Sequence, residues 1–191
     1  MNPITHFLAS WALAERVAPD ARDRSLITWA GVLPDVDAVG AIADVTRSLT
    51  GAGAATDYGA LHHVVLHGLG AALAIPALLA CFGVRRARVF AGGFVAVHLH
   101  LLCDLVGSRG PRPGDIWPLW YLGPFRNQPV LFWHGQWPLN AWPNVLFTML
   151  LAAYALWAGV ARGRTPVGVF SRRADAAVVQ TLRRRWAAWR A

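Results

Sequence analysis

In the segment HLHLLCDLV, His100 and Asp104 stand four residues apart, a spacing that puts both on one face of a helix. The residues around them are apolar, and an aspartate inside an apolar span costs about 2.5–3.5 kcal/mol on insertion scales. Such a residue is kept for a partner, an ion or a reaction. Three more imidazoles lie upstream in LHHVVLHGL: His62, His63 and His67. By helical spacing His63 and His67 share a face. Farther upstream come PDVD, with Asp35 and Asp37, and the early His6. Imidazole and carboxylate together form a donor set for zinc, manganese or iron. A carboxylate among several histidines can also bridge two ions. A His–Asp hydrogen-bond network that only joins helices is the other reading of these residues.

The elements that must position them are apolar helices. Of 191 residues, 55% are hydrophobic and 15% charged, well below the roughly 25% charged of ordinary soluble domains. Three runs approach the ~20 apolar residues that cross a bilayer: Val64 to Val84, Val89 to Val106, and Trp142 to Ala161. Two shorter apolar helices are expected before them, one from Asn2-Pro3 to about Val17 and one over Leu26 to Ala43, broken by Pro34, Asp35 and Asp37. The connection from Gly107 to Ala141 is rich in Pro, Gly and Trp, and its Trp117, Trp120, Tyr121, Trp133 and Trp137 suit the headgroup level. From Arg172 the chain reads as a basic amphipathic helix. The expected fold is therefore an all-α integral membrane bundle, with residues 1–170 as one embedded domain and 171–191 as a basic tail. The N-terminus lacks the basic region and cleavage site of a secretory signal.

Charge and cysteine narrow the function further. The net charge is +8 and every basic residue is an arginine, but the arginines cluster at the ends of apolar runs and in the tail, so nucleic acid is not expected as a partner. Cys81 and Cys103 offer neither a zinc-ribbon spacing nor a disulfide framework. If successive runs cross antiparallel, His6, Asp35, Asp37, His62 to His67, His100 and Asp104 all land on one side. Arg16, Arg22, Arg24, Arg85 to Arg88 and the tail arginines land on the other, with Arg47, Arg109, Arg112 and Arg126 as exceptions. The positive-inside rule makes the arginine side cytoplasmic.

Thr5-His6, Pro34-Asp35-Val36-Asp37, His62-His63-Val64-Val65-Leu66-His67, the His100-to-Asp104 pair and Trp117-Pro118 occur in an order that resembles the YdjM-like family. These are inner-membrane proteins regarded as metal-dependent hydrolases. The resemblance covers about residues 1–120. Two positions depart from its pattern: Leu66 stands where the family has Thr, and Gly68 where it has a small polar residue. The family spacing selects His62 with His67, whereas helical geometry selects His63 with His67.

The resemblance implies a bacterial inner-membrane, multi-pass protein with one or two divalent ions, zinc foremost. His6, Asp35, His62, His67, His100 and Asp104 would be the ligands. In a hydrolase, Asp37 would by its place be the catalytic base or a support for a ligand, and Arg109 and Arg112, just after the site helix, would bind phosphate. The family is in turn similar to the all-helical zinc-dependent phospholipase C type, which implies hydrolysis of a phosphoester by metal-activated water. Membrane lipid is the expected surrounding, a lipid-borne phosphoester the expected substrate, and a cytoplasmic protein a candidate partner for the tail. The alternatives are a non-catalytic metal-binding or partner-recruiting membrane protein and an ion transporter using the His/Asp set.

Overall fold

The structure, a computed structural model, describes residues 1–51, 66–110, 114–123, 125–126 and 129–190, with 38–44 described in backbone only. Seven α-helices stand among the described residues: α1 (Pro3–Val17), α2 (Ala21–Ala30), α3 (Gly40–Thr50), α4 (Leu69–Ala80), α5 (Arg86–Gly107), α6 (Trp142–Arg162) and α7 (Arg172–Arg190). Two 3-10 segments, Leu33–Val39 and Pro166–Val169, join α2 to α3 and α6 to α7. One small antiparallel pair, β1 (Leu119–Trp120) with β2 (Val130–Leu131), sits inside the aromatic connection.

The start of α1 follows its sequence signal. Asn2 Oδ1 accepts from the Thr5 backbone N–H at 2.9 Å and Pro3 occupies the first turn, so one orphan donor is satisfied and the proline has none to lose. Asp20 caps α2 in the same manner. The second expected helix, over Leu26 to Ala43, does not form as one element. Gly31 ends α2, and Pro34 starts a tight turn in which Asp35 and Asp37 are carried.

Helix α5 is the centre of the bundle and packs on α1, α2 and α4. A Cβ at Gly92 would stand 2.7 Å from Ile27 Cδ1, and one at Gly93 would stand 3.0 Å from Pro76 Cβ. These two glycines let α2 and α4 approach the α5 backbone, the small-residue packing common between membrane helices. Ala14, Ala18, Ile27, Val89 and Ala96 fill the resulting core.

Two helices, α5 and α6, are long and apolar enough to cross a membrane, each spanning about 30 Å at 1.5 Å per residue. The three clear spans expected from hydropathy are thus reduced to two. The run from Val64 to Val84 yields α4, only 12 residues from Leu69 to Ala80, or about 18 Å of helix. Its start is fixed by contact: Leu69 donates its backbone N–H to Tyr121 O at 2.7 Å, and a Cβ on Gly68 would stand 2.8 Å from the same oxygen. Helix α6 exposes Val145, Leu146, Met149, Leu150, Leu156 and Trp157, a continuous apolar face of the kind lipid covers.

Candidate metal centre

The 3-10 turn after α2, the start of α1, the residues before α4 and the C-terminal third of α5 meet at one end of the bundle. There His6, Asp35, His100 and Asp104 each offer a ligand atom, all within 4.8 Å of one another. Asp104 lies at the middle. Its Oδ1 faces His6 Nε2 at 3.1 Å and accepts from Ser108 Oγ at 2.7 Å. Its Oδ2 lies 3.0 Å from His100 Nε2 and 3.5 Å from His67 Nε2. Asp35 Oδ1 stands 3.6 Å from His100 Nε2. The Met1 amino group also contacts Asp104 Oδ1 and lies 2.6 Å from Ser108 Oγ. His6, His67 and His100 are essentially fully buried, and Asp104 nearly so.

The far nitrogens of two rings decide what the near ones present. His100 Nδ1 lies 2.9 Å from the Gly31 carbonyl oxygen, which can only accept, so Nδ1 carries the hydrogen. His67 Nδ1 donates to Asp37 Oδ2 at 2.9 Å, and that oxygen also takes the Leu66 backbone N–H at 3.3 Å. In the neutral tautomers both Nε2 atoms therefore turn lone pairs inward, 3.1 Å from each other. Two imidazole lone pairs and a carboxylate oxygen converging in a buried space repel unless a proton or a metal cation lies among them. His6, stacked on His100 at 3.8 Å between ring centres, leaves its Nδ1 buried without a hydrogen-bond partner. This donor set, with the unpartnered Nδ1 of His6, fits a zinc-class ion, and outward bonds of this kind are what orient histidine ligands.

His62 and His63 lie outside the described residues, as does Arg112. The helical-face argument for His63 with His67 does not apply, because α4 starts only at Leu69 and His67 sits in the bend before it. Asp37 Oδ2 accepts from His67 Nδ1 and from the Leu66 backbone N–H. Arg109 follows α5 by two residues; its backbone N–H donates to Trp137 O at 3.1 Å, and its buried Nε has no hydrogen-bond partner. His98 points away from the cluster, to Phe94 O at 2.9 Å and the Tyr121 hydroxyl at 3.0 Å.

Other site-building residues escaped the sequence reading. Ser108 continues the His100–Asp104 stripe by one more step of four, a signal that was present. Gln136, fully buried, donates to the carbonyls of Asp104 and Leu105 at 3.0 and 3.2 Å. Asn144, in the first turn of α6, donates to Gly107 O at 2.9 Å and accepts from Trp137 Nε1 at 2.6 Å. Together they satisfy the last carbonyls of α5 and hold the end of the helix that carries Asp104.

The sequence model of the YdjM inner membrane protein family matches residues 1–165. The chain belongs to this family. The YdjM match takes in α1 to α6 and every described residue of the His/Asp cluster, and stops before α7. Neither a curated protein nor a solved structure matches the chain. The departure at Gly68 from the YdjM-like pattern has a local cause: a side chain there would press into the carbonyls of Trp120 and Tyr121.

Proposed function

We propose that the protein is a membrane-embedded, metal-dependent hydrolase acting on a phosphoester, with a lipid-borne phosphate as the substrate class. The observation that carries this reading is the inward convergence of His67 Nε2, His100 Nε2 and Asp104 Oδ2, with both imidazoles locked from behind. His6, Asp35, His67, His100 and Asp104 would hold the ion, Asp104 facing His6 with one oxygen and two imidazoles with the other. When bound, a zinc-class ion supplies Lewis acidity and lowers the pKa of a coordinated water to about 7. Asp37, which takes the His67 Nδ1 hydrogen, would keep that ring turned toward the ion. Arg109, next to Ser108 of the cluster, offers its buried Nε to a phosphoryl oxygen.

The antiparallel course of the helices supports a site facing away from the cytoplasm, since Arg16 and Arg162 lie at the other end of the bundle. The test is turnover of a generic phosphodiester by the purified protein, with and without added zinc. Turnover that disappears in Asp104→Ala supports the reading. A wild-type protein that binds zinc stoichiometrically yet hydrolyses neither a generic phosphodiester nor an extracted lipid phosphate refutes it, and leaves a metal-binding membrane protein without catalysis.

A further inference from the structure

At the end of the bundle away from the His/Asp cluster, a cavity of about 450 Å³ opens between α2, the end of α6 and the start of α7, within the usual size range of small-ligand sites. Four guanidinium groups line it: Arg24, Arg162, Arg164 and Arg172. The carboxylates within reach are already committed. Glu15, buried beneath, takes Arg162 Nη1 at 2.6 Å and the Tyr154 hydroxyl at 2.7 Å on one oxygen and faces Arg164 Nε at 3.5 Å with the other. Asp175 accepts the backbone N–H and the hydroxyl of Thr165 at 2.8 and 2.6 Å. Asp20 caps α2 through the N–H groups of Arg22 and Asp23, and those two bonds hold its carboxyl below the usual range.

Four arginines against Glu15, Asp20 and Asp175 leave a positive excess, and the arginines are crowded. Burial, and then the neighbouring Arg164 charge, pull Arg24 below the ordinary arginine range. Arg24 spends one nitrogen, Nη1, on the carbonyls of Ala18 and Pro19, and Arg172 stands exposed at the first position of α7. Bringing like charges together around a cavity costs energy that an anion recovers. The planar fork of arginine matches the oxygens of a phosphate two at a time.

The position fixes the surroundings of the ligand. Arg162 closes α6, and Gly163 turns the chain in the left-handed region at φ 69°. The Arg162 guanidinium lies over the Trp157 ring at 5.0 Å. The end of a candidate span, marked by tryptophan and arginine, is where lipid headgroups lie. Basic pockets between helices at such a level take anionic headgroups.

We propose that this cavity is a phosphate-binding site, separate from the metal centre, that takes the phosphate of an anionic phospholipid headgroup or a free phosphate group.

The test uses the full chain in detergent, examined by native mass spectrometry after addition of phosphatidylglycerol, of phosphatidylcholine or of inorganic phosphate. One phosphatidylglycerol should be retained per chain, and phosphatidylcholine should be held about tenfold less well because its choline opposes the arginines. Arg172→Gln, at an exposed position that leaves packing intact, should weaken retention about tenfold, and Arg24→Gln should add to the loss. Displacement of the lipid by millimolar inorganic phosphate identifies the free group as sufficient. Resistance to displacement identifies the lipid as the ligand. Equal retention of both lipids, or retention unchanged in the double variant, overturns the proposal. Metal content unchanged in both variants shows that the opposite end of the fold is intact.

Discussion

Asp37→Asn isolates the part of the site that orients without ligating. Asp37 Oδ2 accepts the His67 Nδ1 hydrogen at 2.9 Å in a buried setting, so the bond is charge-assisted and worth about 1.5–3 kcal/mol. Asparagine keeps an acceptor of the same shape but loses the charge. Changes at such outer partners typically cost 10–100-fold in metal affinity, or about 1.4–2.7 kcal/mol. The amide still accepts, so the lower end is expected: about tenfold weaker zinc binding, with the ion still bound at saturation. The assay is competition for zinc between the purified variant and a chromophoric chelator of known affinity. An affinity equal to wild type would mean that His67 does not hold the ion. A loss as complete as that of Asp104→Ala would mean that Asp37 is itself a ligand, and the division between support and ligand would be wrong.

The ligand set makes a sharper contrast: His100→Ala and Asp104→Ala should each remove most of the stoichiometric metal measured by elemental analysis, whereas His98→Ala, bonded to Phe94 and Tyr121 instead, should leave it in place. Gly31→Ala should lower the Tm by an amount corresponding to about 1–3 kcal/mol of overpacking and weaken metal binding too, because its new Cβ would press on Ser10 and stand 3.1 Å from Ala96 O, shifting the carbonyl that orients His100; a thermal melt with and without zinc reads both effects. The chain should remain with membranes through carbonate extraction, and its appearance in the supernatant would remove the membrane reading. A reporter joined after Ala191 should be active in its cytoplasmic form, and activity of an exported form there would invert the assignment of sides.

What could be read directly from the chain was local and periodic. Asn2-Pro3 announced α1, and the four-residue step from His100 to Asp104 holds because α5 is a regular helix there. The gathering of His6, the PDVD turn and α5 at one end followed from counting antiparallel crossings. The failures came where tertiary contacts override a pattern. Hydropathy ran α4 back to Val64, yet the β1 turn pins Gly68 and Leu69 and holds the helix to 12 residues. The carbonyl of Gly31 carries no side-chain signal at all, although it sets the tautomer of His100. Gln136 and Asn144 looked like ordinary loop and helix-start residues. Only the fold shows that the last carbonyls of α5 need them.

Helix α6 packs mainly on α1 and α7, reaches the end of α5 through Asn144, and gives no side chain to the His/Asp cluster. Its outward face is answerable only to oiliness, while Gly31, Gly92 and the PDVD turn are each answerable to a particular neighbouring atom. The two halves of the sequence should therefore age at different rates. Among YdjM relatives, the outer positions of α6 should wander freely among leucine, valine, phenylalanine and methionine. Asn144, on the inward side of the same helix, should stay fixed wherever the metal cluster does.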